Sequence, residues 1–523
     1  MKRDIFYTRS AKREKGLLRA ILFRHNNSFS LLTLCAILFL SACSKSFLEV
    51  SPKGLDLEST YYQNPAEAYA GLIAAYNPLS MEAGGTDNTY IDPLGALNSA
   101  SDECYAGGGG ATDMLFWQVW NNYTLSGATG PQGGFWGRNY TGVYRANLML
   151  EKLPGVPGLS AALSTRYTAE CKFLRAYYYF SLVRLFKNII MPLEPINSDE
   201  MYTQVQVKPE VVYAQIEKDL KEAIPGLPAT VPTTENGRVT KFAALALLGK
   251  AIIYQNNNSR MQEAAGYLEQ VNSSPNYHLL PNFADIFSPD NKFNAESVFE
   301  IYHTNAQNAG WGNWPGFQGN VYTQMTGPRT YTGPTYWSGG WSFNPIMASF
   351  ATAMKSDPRY SATVANIDSI VNAAPGRSYI AGYMNTGYFI NKYAPLAKYV
   401  STTGQAELNF PNDYIEIRLA DTYLLEAEAL VRGGGDLAKA KSYLDLVRAR
   451  VGLPSVPATL DNIYNERRFE LATEGHRWYD LVRTGQAATV LASKGFKAGV
   501  HEILPIPLVE LNNTKLVQNP GYN

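Results

Sequence analysis

Residues 165–187 read TRYTAECKFLRAYYYFSLVRLFK, and this stretch decides the fold class. Apolar and aromatic side chains cover most of the circumference of the helix that it predicts, Phe173, Tyr177 and Phe180 among them. A helix that is apolar all round is enclosed by other elements of the protein. The stretch therefore predicts the central helix of a packed bundle.

The surrounding sequence predicts further helices that fall into pairs. Residues 209–223 have a polar face and fit an outer helix, whereas 242–254 are almost entirely Ala, Leu and Ile and fit a central one. The predicted helices are 65–76, 136–152, 165–187, 209–223, 242–254, 261–271, 413–432 and 437–450. We expect the pairs 165–223, 242–271 and 413–450 to pack side by side in a mainly α-helical fold.

Two of the predicted pairs share a pattern. In the second helix of each, Ala, Leu and Val follow one another at intervals of four and three residues. The shared positions are Ala264, Leu268 and Val271 in one helix and Ala440, Leu444 and Val447 in the other. A small residue where helices approach closely, followed by a larger one, is typical of tetratricopeptide-like repeats. Any two amphipathic pairs can also match at three positions, so this signal is weak by itself.

A long stretch without helical or strand periodicity separates these two pairs. Residues 305–345 carry nine Trp, Tyr and Phe side chains among Gly, Asn, Thr and Pro. We interpret this stretch as loops, and residues 82–110, rich in Gly, Asn and Asp, as a second loop region.

The first 42 residues predict an export signal. Residues 1–30 carry eight basic and two acidic side chains, and residues 31–42 form an apolar run. A helix of that length spans roughly 18 Å, short of the ~30 Å hydrocarbon core, so a transmembrane anchor is not expected. The run ends in LSAC at residues 40–43, which resembles a bacterial lipobox in which Cys43 becomes the lipid-modified first residue. An ordinary signal peptide followed by a chance Cys is the alternative.

Composition and charge exclude several classes of protein. Of the 523 residues, 46% are hydrophobic and 17% are charged, which is typical of a globular chain and not of a disordered one. Basic and acidic residues number 45 each, and loss of residues 1–42 leaves a net charge of −6, which opposes nucleic-acid binding. Cys104 and Cys171 could form one disulfide, but the apolar surroundings of Cys171 favour two separate buried thiols.

Six segments, in order along the chain, resemble the SusD/RagB family of Bacteroidetes surface lipoproteins. They are SDE at 101–103, FW to YRAN at 135–147, AECKFLRAYYYF at 169–180, GRVTKFAAL at 237–245, ERRFELATEGHRWYDLVR at 466–483, and LPIP to QNPGY at 504–522. The resemblance covers most of the mature chain, and the block at 466–483 is its most specific part.

The resemblance implies four tetratricopeptide-like helix pairs and an irregular lobe inserted before the last pair. Residues 1–42 are then a signal peptide and 43–523 a SusD-like body, with helix pairs mainly within 60–275 and 410–523 and a loop-rich ligand-binding lobe at about 276–410. It also implies a lipid-anchored outer-membrane protein that faces the cell exterior. Such a protein binds an oligosaccharide, needs no cofactor and caps a TonB-dependent SusC-like transporter.

The charged block at 466–483 offers candidates for catalysis, but we interpret it as structural. Glu474 and His476 could act as an acid–base pair, yet ion pairs that hold the last helix to the bundle explain the same residues. Asp102 and Glu103 are adjacent, whereas glycoside hydrolysis needs two carboxyl groups held roughly 5–10 Å apart across the scissile bond. Motifs for zinc, phosphate or dinucleotide binding do not stand out. We therefore expect no catalytic residues, no metal and no cofactor.

The aromatic residues of the long loop are the candidate ligand-binding residues. The C–H face of a sugar packs on an indole or phenol ring, while its hydroxyls need polar partners. The predicted stacking rings are Trp311, Trp314, Tyr331, Tyr336, Trp337 and Trp341, the predicted polar partners are Asn313, Asn320 and Arg329, and a neighbouring loop adds Asp87, Asn88 and Tyr90. The alternative for each ring is a small local core that holds the loop in shape.

Three other functions stay open at this point. A peptide-binding member of the same family would need fewer stacking rings, so the Trp-rich loop favours a glycan. A surface glycoside hydrolase would need a pair of carboxylates that the sequence does not reveal. A mainly structural lid would have negligible affinity for any ligand.

Overall fold

The computed structural model describes residues 61–81, 83–84, 89–90, 93–306, 310–311, 318–334 and 337–522. Tyr62–Asn523 forms one unit, and Met1–Tyr61 forms another, of which only Tyr61 is described. The predicted signal peptide and Cys43 therefore lie outside the described residues.

Helices dominate both ends of the larger unit. The first group is α1 (Pro65–Tyr76), α2 (Pro93–Ala100), α3 (Leu115–Asn121), α4 (Gln132–Lys152), α5 (Ala161–Phe186), α6 (Ser198–Met201), α7 (Pro209–Ala223), α8 (Lys241–Tyr254) and α9 (Met261–Asn272). The described residues in the middle of the chain form short helices, α10 (Val321–Thr326), α11 (Ala348–Met354), α12 (Tyr360–Thr363) and α13 (Ile367–Asn372). The last group is α14 (Leu419–Arg432), α15 (Leu437–Arg450), α16 (Leu460–Glu470), α17 (Arg477–Arg483), α18 (Ala487–Val490) and α19 (Leu508–Leu511).

The strands are short and pair two by two, always antiparallel. They are β1 (Ala83–Gly84), β2 (Thr89–Tyr90), β3 (Ser297–Ile301), β4 (Arg329–Thr332), β5 (Val364–Asn366), β6 (Ser378–Ile380), β7 (Tyr388–Ile390) and β8 (Tyr414–Arg418). The pairs are β1 with β2, β3 with β8, β4 with β6 and β5 with β7.

Helix α5 is the central helix that its sequence predicts. The Ser160 side chain caps its first turn by accepting a hydrogen bond from the Leu163 amide at 3.3 Å, and almost every residue from Ala169 to Phe186 is buried. It packs against α4 on one side and α7 on the other. The prediction of a mainly helical, paired fold is confirmed.

The remaining pairs continue the stack across the long insertion. Helix α8 packs on α9, α9 on α14 and α14 on α15, so the pairs 242–271 and 413–450 lie side by side as predicted. Gly249 lets α8 and α9 approach closely, because a Cβ atom there would lie 2.6 Å from Cγ of Leu268. Ala264 and Ala440, the small residues of the shared pattern, are both fully buried.

The predicted start of the helix at 413–432 is wrong. Residues 414–418 form strand β8, which pairs with β3 between Ser297↔Arg418 and Ile301↔Tyr414, and helix α14 starts only at Leu419. Ile415 and Ile417 are buried while Tyr414 and Glu416 between and before them are half-buried, an alternation typical of a strand, and Arg418 at the end is buried as well. This pairing closes the two ends of the insertion against the bundle.

The loop predictions are wrong in part as well. Helix α2 lies inside the region 82–110, and α10 and β4 lie inside 305–345. Helix α2 is buried along almost its whole length, so tertiary contacts support a helix that contains Gly, Asn and Ser. The side chain of Asn320 caps α10 by accepting a hydrogen bond from the Thr323 amide at 3.0 Å.

Cys104 and Cys171 are both buried and free, so the disulfide alternative is wrong and two separate thiols are confirmed. Over the described part of the chain, none of the helices has the length and apolar character needed to cross a bilayer.

Candidate functional site

The candidate site is built where a glycine-rich segment runs antiparallel to the end of the aromatic loop. Cys104 pairs with Ile346 and Gly107 with Phe343, and the Gly108 amide donates to the carbonyl oxygen of Ser342 at 2.8 Å. Gly107 has a φ of 72°, and a Cβ atom there would lie 2.4 Å from the Ser342 oxygen, so this close approach requires glycine. The run at 107–110 is thus a fixed edge of the site.

Two tryptophan rings lie beside this edge. The indoles of Trp311 and Trp341 stack with centroids 6.0 Å apart and planes at 27°. Trp311 is 37% exposed, Trp341 is partly buried, and the Trp341 amide donates to Gln324 O at 3.1 Å. The pair presents an aromatic surface, and its Trp341 side is held in place by backbone hydrogen bonds.

A charged pair borders the rings. Arg329 donates from Nη1 to the carbonyl oxygen of Trp341 at 2.9 Å, and the same nitrogen lies 3.9 Å from Oδ2 of Asp113. Both side chains are more than a third exposed, and Asp113 Oδ2 also accepts from the Gly109 amide at 2.6 Å. We name Trp311, Trp341, Arg329 and Asp113 the indole face.

Strained backbone surrounds the indole face. Five residues other than glycine have a positive φ on the loops that frame it, namely Met114, Thr330, Ser342, Asn344 and Met384. Such conformations cost roughly 1–3 kcal/mol each and cluster at functional sites. Asn344 is buried and held from several sides, since it accepts from the Tyr322 hydroxyl at 2.8 Å and donates to Gly95 O at 3.1 Å.

A further segment that the sequence analysis missed joins this frame. Strand β6 pairs with β4 at Ile380 and Arg329, and the Tyr383 amide donates to Gly108 O at 2.8 Å. Asn385 donates to the Tyr379 hydroxyl at 2.9 Å, while its own Oδ1 is buried without a partner among the described residues. The Gly, Tyr and Asn content of 379–385 resembles that of the long loop and is the only sequence signal for it.

Other predicted ligand residues lie elsewhere. Trp337 is only 5% exposed and belongs to a local core with Ile367 and Phe389, against which Tyr331 packs. The Trp337 ring thus lies in a small local core that holds the loop in shape, which is the alternative given above for each ring. Asn320 is also buried, and its amide donates to Asn412 O at 2.9 Å in addition to capping α10.

The rest of the predicted set is not placed. Trp314, Tyr336, Asn313, Asp87 and Asn88 lie outside the described residues, and for Tyr90 only the backbone in β2 is described. Trp311, Trp341 and Arg329 are the predicted residues that the structure brings together. Asp113 joins them although no pattern around it in the sequence indicated a ligand residue.

The charged block at the C-terminus is an internal network. Arg418 binds Glu474 with Nε at 2.8 Å and Glu470 with Nη1 at 2.5 Å, and Lys392 binds Glu474 at 2.6 Å. These side chains are at most 1% exposed. Burial lowers the pKa of His476 to about 3, so this imidazole is neutral and closed to solvent. The contacts support the structural interpretation of this block.

The second pair of carboxylates is likewise internal. Asp102 binds Arg477 at 2.7 Å and Arg468 at 2.9 Å, which lowers its pKa against the effect of burial. Glu103 Oε2 accepts from the Thr473 amide at 2.9 Å, and burial, helped by the charge of Asp102, raises the pKa of Glu103 to about 8. These contacts join the segment that follows α2 to the 466–483 block.

The raised pKa of Glu103 predicts a pH effect on stability. The folded protein keeps this proton between pH 4.5 and 8, whereas the unfolded chain loses it, so the contribution of Glu103 to the free energy of unfolding falls as pH rises. Glu103→Gln removes the pH-dependent contribution of this carboxyl group to the free energy of unfolding. From pH 4.5 to 8 the variant should therefore gain stability relative to wild type by up to about 1.4 kcal/mol per pH unit. Urea unfolding of both proteins at several pH values measures the difference.

The control for this prediction is Glu151→Gln, at an exposed position on α4. Its stability should follow the wild type at every pH. Parallel curves for Glu103→Gln and wild type would show that Glu103 is ionised in the folded protein.

Among the residues that the structure describes, no group of three or more His, Cys, Asp and Glu side chains is placed to hold a metal ion.

Comparison with known proteins gives consistent matches over nearly the whole larger unit. The sequence profile of the SusD family matches residues 253–522, and a profile described as "Starch-binding associating with outer membrane" matches 68–253. The chain is similar to a solved structure titled "Laminarin binding SusD-like protein", with 46% identity, a TM-score of 0.83, and coverage of 88% of this chain and 100% of that one.

Two further relatives extend the comparison. Surface glycan-binding protein A from Bacteroides thetaiotaomicron, solved with laminarihexaose, is 30% identical with a TM-score of 0.81 over 87% of this chain and 99% of that one. SusD-like protein P25 of Formosa agariphila is 25% identical over 543 residues, which span 93% of this chain and 97% of the relative.

Proposed function

The chain belongs to the SusD/RagB family, and from this membership we propose that it captures a laminarin-type glycan at the cell surface and delivers it to a TonB-dependent SusC-like transporter. It is a glycan-binding protein and not an enzyme. The names of its relatives do not favour a peptide ligand or a hydrolase.

The stacked indoles of Trp311 and Trp341 are the observation that carries the proposal. Two nearly parallel indole rings offer a flat apolar surface of the kind on which the C–H face of a glucose residue packs. Arg329 and Asp113 supply a donor and an acceptor for hydroxyls at the edge of the rings. Apolar contact then gives affinity, and the charged pair sets the orientation of the sugar.

Laminarin is the proposed ligand because of the names of two similar solved structures. One is named for laminarin and another was solved with laminarihexaose, at 46% and 30% identity over nearly the whole chain. The family description of residues 68–253 names starch, which makes maltohexaose the informative competitor.

Calorimetric titration tests the proposal. Purified protein from residue 44 onward should bind laminarihexaose with heat changes that saturate, and should bind maltohexaose more weakly. Incubation with laminarin should release no new reducing ends. Saturable binding of maltohexaose with none of laminarihexaose would contradict the ligand, and reproducible cleavage would contradict the non-enzymatic function.

Localisation makes a separate prediction. We propose that Cys43 carries the lipid anchor of an outer-membrane protein that faces the exterior, since LSAC follows a short apolar run. Cys43→Ala should abolish labelling by radioactive palmitate and move the protein from the membrane fraction to the soluble fraction. Membrane association of the wild type without any incorporated fatty acid would overturn the anchor.

The proposed transporter partner is testable in the same cells. Affinity purification of the tagged wild-type protein from detergent-solubilised outer membranes should recover a TonB-dependent transporter in near-equal amount. Recovery of the tagged protein alone would contradict this part of the proposal.

A further inference from the structure

A concave surface lies among the helix ends, and none of the indole-face residues line it. It is a cleft of ≈ 580 Å³ bounded by the end of α5, the start of α7, the end of α8, helix α17 and residues 502–503. Its volume falls within the range of small-molecule sites, roughly 300–1,000 Å³. We name it the helical cleft.

Tyrosine side chains and Arg184, an arginine without an ion pair to the described residues, line the helical cleft. The guanidinium of Arg184 lies over two rings, 4.0 Å from the centroid of Phe180 and 4.1 Å from that of Tyr479, which are cation–π distances. Its Nε donates to Phe180 O at 3.2 Å, and it forms no ion pair with the described residues. Arg184 lines the cleft, and its Nη nitrogens donate no hydrogen bond to the described part of the chain.

A second polar group of the wall is also unsatisfied. The hydroxyl of Tyr254 is buried and has no hydrogen-bond partner among the described residues. Buried polar groups in native proteins are nearly always paired with protein, water or ligand. Arg184 and Tyr254 thus offer hydrogen bonds to whatever fills the cleft.

The rim has strained backbone at two positions. Lys187 ends α5 with φ 64° and ψ −80°, and Asn256 follows α8 with φ 54°. Glycine would adopt a positive φ without strain. Lys187 and Asn256 instead place a long and a polar side chain at the cleft despite the cost of the strained backbone.

The charges of the cleft fit a neutral polar ligand. Arg184 and Lys187 are balanced by Glu210 and Glu502, which also line it. Arg483 does not enter this balance, because its guanidinium binds Glu428 at 2.6 Å and Asp480 at 2.8 Å. The cleft thus offers hydrogen-bond donors from basic side chains, acceptors from acidic ones, and tyrosine rings. These groups match a ligand that has hydroxyl groups and a C–H face.

We propose that the helical cleft is a second binding site for a neutral oligosaccharide, separate from the indole face. The inference rests on the proposed function, since it assumes that the chain is a glycan-binding protein. The ends of α5, α7 and α8 offer side chains to the ligand and no strand edge, which an extended peptide would need for main-chain pairing. With two sites on one chain, a long glycan could bind at two points. The second contact would then be intramolecular, which raises the overall affinity.

The test separates the two sites. In the double variant Trp311→Ala/Trp341→Ala, saturation-transfer NMR with laminarihexaose, maltohexaose and cellohexaose should still detect weak binding of at least one sugar. Adding Arg184→Gln should weaken that residual binding roughly tenfold or more, as expected for the loss of a charged donor. Lys187→Gly should also weaken it while leaving the unfolding midpoint unchanged or higher, because it relieves the strained φ.

An exposed lysine on α7 provides the control variant. Lys218→Ala removes one positive charge from an exposed position on α7 and should bind like its parent. If wild type binds sugar and the double variant binds none, or if Arg184→Gln and Lys187→Gly bind like their parent, the cleft proposal fails and the indole face stands. If wild type binds none of the three sugars, the proposed function fails with it. Binding of tetra-alanine in place of any sugar would also overturn the cleft proposal.

Discussion

Trp311→Ala and Trp341→Ala should each weaken binding of laminarihexaose by roughly five- to a hundredfold, which corresponds to about 1–3 kcal/mol by analogy with base–aromatic stacking. Each substitution removes one of two stacked rings whose centroids are 6.0 Å apart. The backbone at Trp341 is held by hydrogen bonds of Trp341 with Gln324 and Arg329 and of Ser342 with Gly108, so it should not shift to replace the lost flat surface. Calorimetric titration measures the change.

Trp337→Phe is the matched control for these variants. Its ring is 5% exposed in a local core, so the substitution should lower stability and leave affinity close to that of wild type. Circular dichroism must first show that every variant is folded. Wild-type affinity in both Trp311→Ala and Trp341→Ala would place the sugar elsewhere.

Arg418→Met should destabilise the protein by roughly 3–5 kcal/mol, because it leaves buried carboxylates without their partner. Arg418 contacts Glu470 and Glu474 in the fully buried network and lies 3.4 Å from Glu296. The network also binds Arg359 of the insertion to Glu466 at 2.6 Å, so it joins the inserted segment to the last helices. Urea unfolding followed by circular dichroism measures the loss.

Lys172→Met is the control for the network prediction. Lys172 pairs with Glu222 at the surface, where both side chains are partly exposed to water. This variant should unfold at nearly the same urea concentration as wild type. An Arg418→Met variant as stable as the control would show that the buried ion pairs contribute no net stability.

The helices were predictable because their patterns are local. The bounds of α1, α7 and α15 coincide with the predicted ranges, and α5 differs by a few residues at its ends. Strand β8 was not predictable in the same way, since its five residues gain their partners from β3, more than a hundred residues earlier. A short apolar stretch before a helix looks like the start of that helix.

The candidate site was predictable only in part, for a related reason. Composition pointed to Trp311, Trp341 and Arg329, because exposed aromatic loops bind ligands by stacking. It could not separate Trp341 from Trp337, since the burial of Trp337 depends on Ile367 and Phe389, which follow later in the chain. Asp113 reaches the site through Gly109 and the pairing of Gly107 with Phe343, a contact that no local pattern reveals.

A crystal structure of the protein with laminarihexaose is the most direct test of the central claim. The account predicts a glucose ring packed on the Trp311 and Trp341 indoles, with Arg329 or Asp113 within hydrogen-bonding distance of its hydroxyls. An ordered hexasaccharide bound elsewhere, with both indoles uncovered, would contradict it.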